Sequence, residues 1–280
     1  MTMRRFVSAI VCAAVDCPHQ VMRVLFAGGM VLIASCAGAP QPADAVMTVL
    51  APTGTLRAAI NYGNPILVSR DPSSDEPAGV APDLARQIAD RLDLPIAFVT
   101  YDSAAAIADD AGAGRWDVAF LGSDPARADI TFTAPYVELQ STYLVPADSR
   151  IGTIADVDAE GVRVAARPRS AYDLVLRRTL TRARLVYPVG AETDLDLLVG
   201  GRADALAGLR DVLEDAALRL PGARVLDGEF TAIQQAIGVP RGREAAARYL
   251  ETFVREIKES GTLARALEHR GARGVSVPRE

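Results

Sequence analysis

The chain has 280 residues, half of them hydrophobic, and a formal net charge of −5. That is enough apolar material for one large or two modest cores, which excludes a disordered chain. The charge is spread without a basic stripe, so the electrostatic footprint of nucleic-acid binding is missing and a small molecule is the default partner.

Cys12, Cys17 and Cys36 all lie near the N-terminus, so the folded part has no internal disulfide and no thiolate metal site. From Val24 to Ser35 runs an apolar stretch preceded by Arg23, with the length of a signal-peptide core and too short to span a bilayer comfortably. Residues 1–36 therefore read as a signal peptide, with Met1 or Met22 as its start. Ile33-Ala34-Ser35-Cys36 is similar to a lipobox, in which Cys36 is acylated and anchors the mature chain to the membrane. The alternative is ordinary secretory cleavage after Ala37-Gly38-Ala39, which releases a soluble protein.

Residues 37–45, with Pro40 and Pro42 among alanines, read as a tether, and folding is expected from Val46. Short β-rich runs then alternate with helical patterns, the signature of α/β architecture with mainly parallel strands. Strands are expected over Leu56 to Ile60, Ile96 to Thr100, Val118 to Leu121, Val162 to Ala166 and Arg224 to Leu226. Leu84, Ile88 and Leu92 recur at helical spacing behind Pro82 and Asp83, which suit a helix N-terminus. Ser170, with Asp173 three residues on and Leu174 and Leu180 beyond, opens a second helix with a capping-box-like start. Gly114-Arg115-Trp116-Asp117-Val118-Ala119 is echoed by Gly201-Arg202-Ala203-Asp204-Ala205-Leu206. The echo reads either as two related halves or as a helix-to-strand turn repeated by chance.

The order of segments resembles the polar amino-acid-binding family of periplasmic solute-binding proteins, family 3, with the type II fold. The resemblance rests on Gly54-Thr55-Leu56-Arg57, on Gly79-Val80-Ala81-Pro82-Asp83-Leu84, on Trp116 to Gly122 followed by Asp124-Pro125-Ala126-Arg127 and Phe132-Thr133-Ala134-Pro135-Tyr136, and on Val162-Arg163-Val164-Ala165 with Ser170 and Tyr172. It implies two α/β lobes joined by two crossover hinge strands. Lobe one would take 46–137 and 232–280, lobe two 138–231, with hinges near Glu138 to Thr142 and Glu229 to Gln234. It also implies a monomeric periplasmic protein that passes its ligand to an ABC importer, whose permease and ATPase are separate chains, with no cofactor and no metal.

Arg127 matches the family position that clamps a ligand carboxylate, a task suited to the rigid guanidinium fork. The alternative is a surface arginine paired with Asp124 or Asp129, in a chain where arginine is abundant and Lys258 is the sole lysine. Gly122 and Ser123 stand at the carboxyl end of a strand, where open α/β sheets bind ligands, and Ser123 would assist Arg127. The helix N-terminus at Ser170 would favour an anionic group. Arg169, standing where the family has glycine, either reaches the ligand or is solvated. Asn61 and Asn64 would hydrogen-bond a polar ligand and Tyr62 would pack on it, or the three build a turn. Relatives place an acidic residue for an ammonium where this chain has Ala207-Gly208-Leu209, which weakens amino-acid binding and leaves Asp211 or Glu229 as substitutes. The ligand is thus expected to be a carboxylate-bearing solute, an amino acid or an organic acid.

Two other roles compete. A few proteins of this fold are enzymes, dehydratase-like among them, and Glu138 near a hinge would be the acid. With His19 and His269 as the sole histidines, no Ser/His/Asp or zinc constellation assembles. The other role is a ligand-sensing accessory of an envelope protein. If Cys36 is the anchor, radiolabelled palmitate enters the wild-type protein, and Cys36→Ser releases it from the membrane fraction; unlabelled wild type overturns the assignment.

Overall fold

The computed structural model describes residues 42–269 and 274–278. The expected leader 1–36, Cys36 and residues 37–41 lie outside the described residues. Among the described residues no helix is long and apolar enough to cross a membrane.

Helix α1 (Pro42–Leu50) leads into strand β1 (Leu56–Asn61), a small hairpin of β2 (Ser69–Arg70) and β3 (Pro77–Ala78), helix α2 (Val80–Arg91), β4 (Ile96–Tyr101), α3 (Ala104–Asp109), β5 (Val118–Gly122) and β6 (Ile130–Phe132). Strand β7 (Val137–Val145) crosses to a second lobe of α4 (Ile154–Val157), β8 (Arg163–Ala165), α5 (Ala171–Thr179), β9 (Arg184–Val186), α6 (Asp194–Val199), β10 (Ala205–Leu209), α7 (Arg210–Ala217) and β11 (Arg224–Val225). Strand β12 (Thr231–Pro240) returns, and α8 (Glu244–Glu259), α9 (Thr262–His269) and β13 (Val275–Ser276) follow. The end of the expected tether is already helical from Pro42, because Val46, Met47, Val49 and Leu50 have an apolar surface to cover beside α8.

Each lobe has the same plan. In lobe one β1 runs parallel between β4 and β5, and β12 lies antiparallel on β5. In lobe two β8 runs parallel between β9 and β10, and β7 lies antiparallel on β10. The echoed hexapeptides supply equivalent parts: Gly114 and Gly201 both take φ 65°, a left-handed conformation that glycine adopts without penalty. Asp117 and Asp204 then take the backbone N–H and the forked guanidinium of the arginine on the adjacent strand, Arg57 in β1 and Arg163 at the start of β8. Apolar side chains cover both faces of each sheet, as parallel strands require. Helices α8 and α9 return to the lobe-one core through Leu250, Phe253, Val254, Leu263 and Leu267.

The crossovers β7 and β12 pair with each other over Val137 to Ser141 and Thr231 to Gln235 before parting into separate lobes. Beyond that stretch β7 joins β10 and β12 joins β5 and β6.

The Asp117 carboxylate is fully buried, whereas the Asp204 side chain is 37% exposed. Burial alone would raise the Asp117 carboxyl, but hydrogen bonds from Arg57 and Arg243 outweigh it and hold it below the usual range. The Arg163 hydrogen bonds likewise lower Asp204. Because both pKa values are depressed on folding, their stabilisation is complete above the ordinary carboxylate pKa of about 4 and is lost as pH falls below it. Urea titration should therefore find Asp117→Ala about 3–5 kcal/mol less stable at pH 7, since it strands two guanidinium partners. Asp204→Ala should cost about 1–2 kcal/mol because solvent screens that pair. The wild-type loss between about pH 4 and 2 should be shallower in Asp117→Ala; equal costs for the two substitutions would mean that burial does not separate the clamps.

Candidate functional site

The strand order places β1 with one neighbour on each side, and the chain leaves β1 and β5 in opposite senses. The carboxyl ends of such strands open a crevice. In lobe one these ends deliver Asn61 and Gly122; in lobe two the ends of β8 and β10 deliver Arg167 and Leu209. Together with Asn64, Ser103, Ser170, Ala171, Ile233 and Gln235 they enclose a cleft cavity of about 50 Å³ between the lobes.

Local turns aim these side chains. The Asn61 Oδ1 accepts from Gly63 N–H at 2.9 Å, and Gly63 has no room for a side chain, since a Cβ there would stand 2.6 Å from the Asp102 carbonyl oxygen. Asn64 is 6% exposed, and its Oδ1 is buried without a hydrogen-bond partner. Ser170 caps α5 by accepting from Asp173 N–H at 3.1 Å. Asp173, fully buried, in turn takes Arg169 N–H, Arg177 Nε and the Tyr187 hydroxyl, which locks the loop between β8 and α5.

Of the residues expected from sequence, Asn61, Asn64, Gly122 and Ser170 meet around this cavity. Arg127 and Ser123 stand behind it, lining a groove of about 600 Å³ that shares Ala171 and Ile233 as its dividing wall. A Cβ at Gly122 would come within 2.8 Å of Ile233 and 2.9 Å of Ala171, so the wall is closed tightly. Arg127 is 6% exposed and does not ion-pair with Asp124 or Asp129; its guanidinium donates to the carbonyls of Gly122 and, across the cleft, Arg169. Burial pushes it down to about 10, partly offset by nearby Asp124, so it stays charged at neutral pH. The Ser123 hydroxyl donates to the Gln234 carbonyl at 3.3 Å.

Tyr62 does not line this cavity; its ring carries the Arg70 guanidinium 4.0 Å above its centroid, and the residue lines an adjoining cavity with Arg167 and Gly208. Arg169 turns away as well: its φ of 56° is left-handed, costly without glycine, and swings the side chain onto Asp109 of lobe one. Glu138 lies on the crossover, bonded to Gln234 and Ser276, and does not line the cavity.

Sequence reasoning missed Arg167, which spans the cleft mouth with Nη1 donating to the Gly63 carbonyl at 3.1 Å. Its one signal was its place between a strand end and a helix cap. Also missed were two ion pairs between lobes, Arg178 with Asp124 and Arg169 with Asp109, whose partners are 54 and 60 residues apart. The first is a fork at 3.0 and 2.8 Å onto a carboxylate only 3% exposed; in the second both side chains are at least half exposed. An exposed pair is worth little, so Arg178 with Asp124 is the stronger of the two ion pairs between the lobes. Asp124→Ala should release about 1 kcal/mol of closure, Arg178 being half solvated, and enlarge the radius of ligand-free protein in small-angle scattering. Asp109→Ala should leave the radius nearly unchanged; the reverse ranking would remove Asp124 as the stronger tie.

The family model of the bacterial extracellular solute-binding proteins, family 3, matches residues 56–269. No curated protein sequence matches the chain. Among solved structures, the fold is similar to the amino acid ABC transporter substrate-binding protein AbpA from Streptococcus pneumoniae bound to L-arginine, at 18% identity, with 79% of this chain and 95% of that one covered and a TM-score of 0.66. It is similar to an ancestral amino acid-binding protein that is a precursor of cyclohexadienyl dehydratase, at 21% identity, 81% and 97% coverage and a TM-score of 0.65. An ancestral arginine-binding protein bound to glutamine aligns at 20% identity, 79% and 98% coverage and a TM-score of 0.64.

Proposed function

Since the chain belongs to family 3 of the bacterial extracellular solute-binding proteins, we propose that its cleft captures a small carboxylate-bearing solute outside the cytoplasmic membrane and hands it to an ABC importer. Permease and ATPase are then separate proteins, and acylated Cys36 holds this monomer at the membrane. The lobes, 46–137 with 232–280 and 138–231, move about hinges at 138–142 and 229–234, where the two crossovers pair with each other as they pass between the lobes.

One observation carries this reading: the buried Arg127 guanidinium, which meets backbone carbonyls and no carboxylate. Carbonyls are weaker partners for a buried cation than an anion is. When the lobes part, Arg127 loses the Arg169 carbonyl, and Ala171 withdraws from Gly122. The space opened lies beside Arg127, Ser123 and the first turn of α5, whose leading N–H groups have no intrahelical acceptor. A carboxylate fits there, and the arginine and glutamine held by the related structures both carry one.

Native mass spectrometry of protein purified without denaturation should find a bound acid. Titration calorimetry with that acid should then show Arg127→Ala weakening binding more than tenfold, because charge-assisted bonds contribute about 1.5–3 kcal/mol each. Arg127→Lys should retain part of the affinity, lacking only the planar fork. Wild-type affinity in Arg127→Ala would take Arg127 out of the site.

A further inference from the structure

The cleft cavity has an uneven charge inventory. Of its lining side chains Arg167 alone is charged, and the other polar groups are the amides of Asn61, Asn64 and Gln235 and the hydroxyls of Ser103, Ser170 and Tyr172. No carboxylate lines it, and among the described residues none stands in ion-pairing distance of Arg167. Asp194 lines the adjoining cavity of about 350 Å³, where its charge acts on Tyr172 from outside the cleft cavity, and it bonds its own helix turn at Leu195 N–H.

We propose that the ligand of this cleft is an acid without an ammonium group, whose second polar group is a neutral hydrogen-bond donor recognised by Asn64, with Arg167 as a cationic contact at the mouth. This rests on the carboxylate reading above and narrows it. An ammonium brought into the cavity would shed its water beside Arg167 with no carboxylate among the lining side chains, and a buried cation without a counter-charge in contact is strongly disfavoured. A hydroxyl or amide N–H carries no such cost. It also answers an independent feature, the Asn64 Oδ1 that is buried and unpartnered, since a buried acceptor without a donor destabilises the structure that holds it. Leu209, 9% exposed at the end of β10, presents an apolar surface to the same cavity.

Titration calorimetry with three matched pairs, L-lactate and L-alanine, L-malate and L-aspartate, 2-hydroxyglutarate and L-glutamate, tests this in the full chain. In the pair that binds most tightly, the hydroxy acid should bind at least tenfold tighter than the amino acid. Asn64→Ala should weaken the hydroxy acid at least threefold, and Leu209→Asp should shift the ratio at least tenfold towards the amino acid. If wild type prefers the amino acid and Arg127→Ala abolishes its binding, the ammonium-free ligand is overturned while the carboxylate reading stands. If no pair binds, or binding ignores Arg127→Ala, both fall.

Discussion

Two carboxylates register the sheets of this protein. Asp117 and Asp204 each stand just before a buried strand and take the backbone N–H and the guanidinium of an arginine at the start of the neighbouring strand. Strand pairing in a parallel sheet is otherwise set by apolar side chains that tolerate one another, and a slip by one residue would reverse every face. A carboxylate bonded at three points allows no slip. It brings β1 level with β5 and β8 level with β10, so the carboxyl ends of all four strands arrive at one crevice. In lobe one the clamp is buried and gains a second cation in Arg243; in lobe two it is partly solvated.

The crevice is bounded by elements that belong to different lobes, so its size depends on how firmly the lobes hold each other. Among the described residues, four polar contacts bridge the cleft: the fork of Arg178 on Asp124, the exposed pair of Arg169 with Asp109, and two guanidinium contacts to carbonyls, Arg167 on Gly63 and Arg127 on Arg169. All four use arginine, whose several donors satisfy acceptors that a part-open cleft would otherwise leave to water. Apolar packing adds to these contacts, since Ala171, Tyr172, Val175 and Leu209 of lobe two lie against the lobe-one core. The enclosed space remains small because Ala171 and Ile233 press against Gly122.

What the cleft offers a ligand follows from which charges are already satisfied. Asp124, Asp109 and Asp173 are all engaged by arginine or backbone groups, leaving positive character at Arg127 and Arg167 and neutral amides elsewhere. The strained backbone at Arg169 belongs to the same arrangement. Its left-handed turn presents the Arg169 carbonyl to Arg127 and its N–H to Asp173, and so builds the floor of the site at a local conformational cost.

The sequence by itself determined the alternation of strands and helices, the cap at Ser170, and the doubled Gly-Arg-x-Asp turn, because each depends on residues within a few positions of one another. Gly122 at a strand end and Ser170 at a helix start were likewise legible, because periodicity breaks there, and Asn61 and Asn64 stood out as turn-forming residues after the first strand. Only the tertiary structure decided that Arg127 sits behind Gly122, that Arg169 is spent on Asp109, that Tyr62 stacks on Arg70, and that Arg167 guards the mouth. Those outcomes rest on partners many residues away, brought together when the crossovers fold one lobe against the other. An arginine's long side chain reaches whichever acceptor lies within its radius, and local sequence carries no record of which one that is.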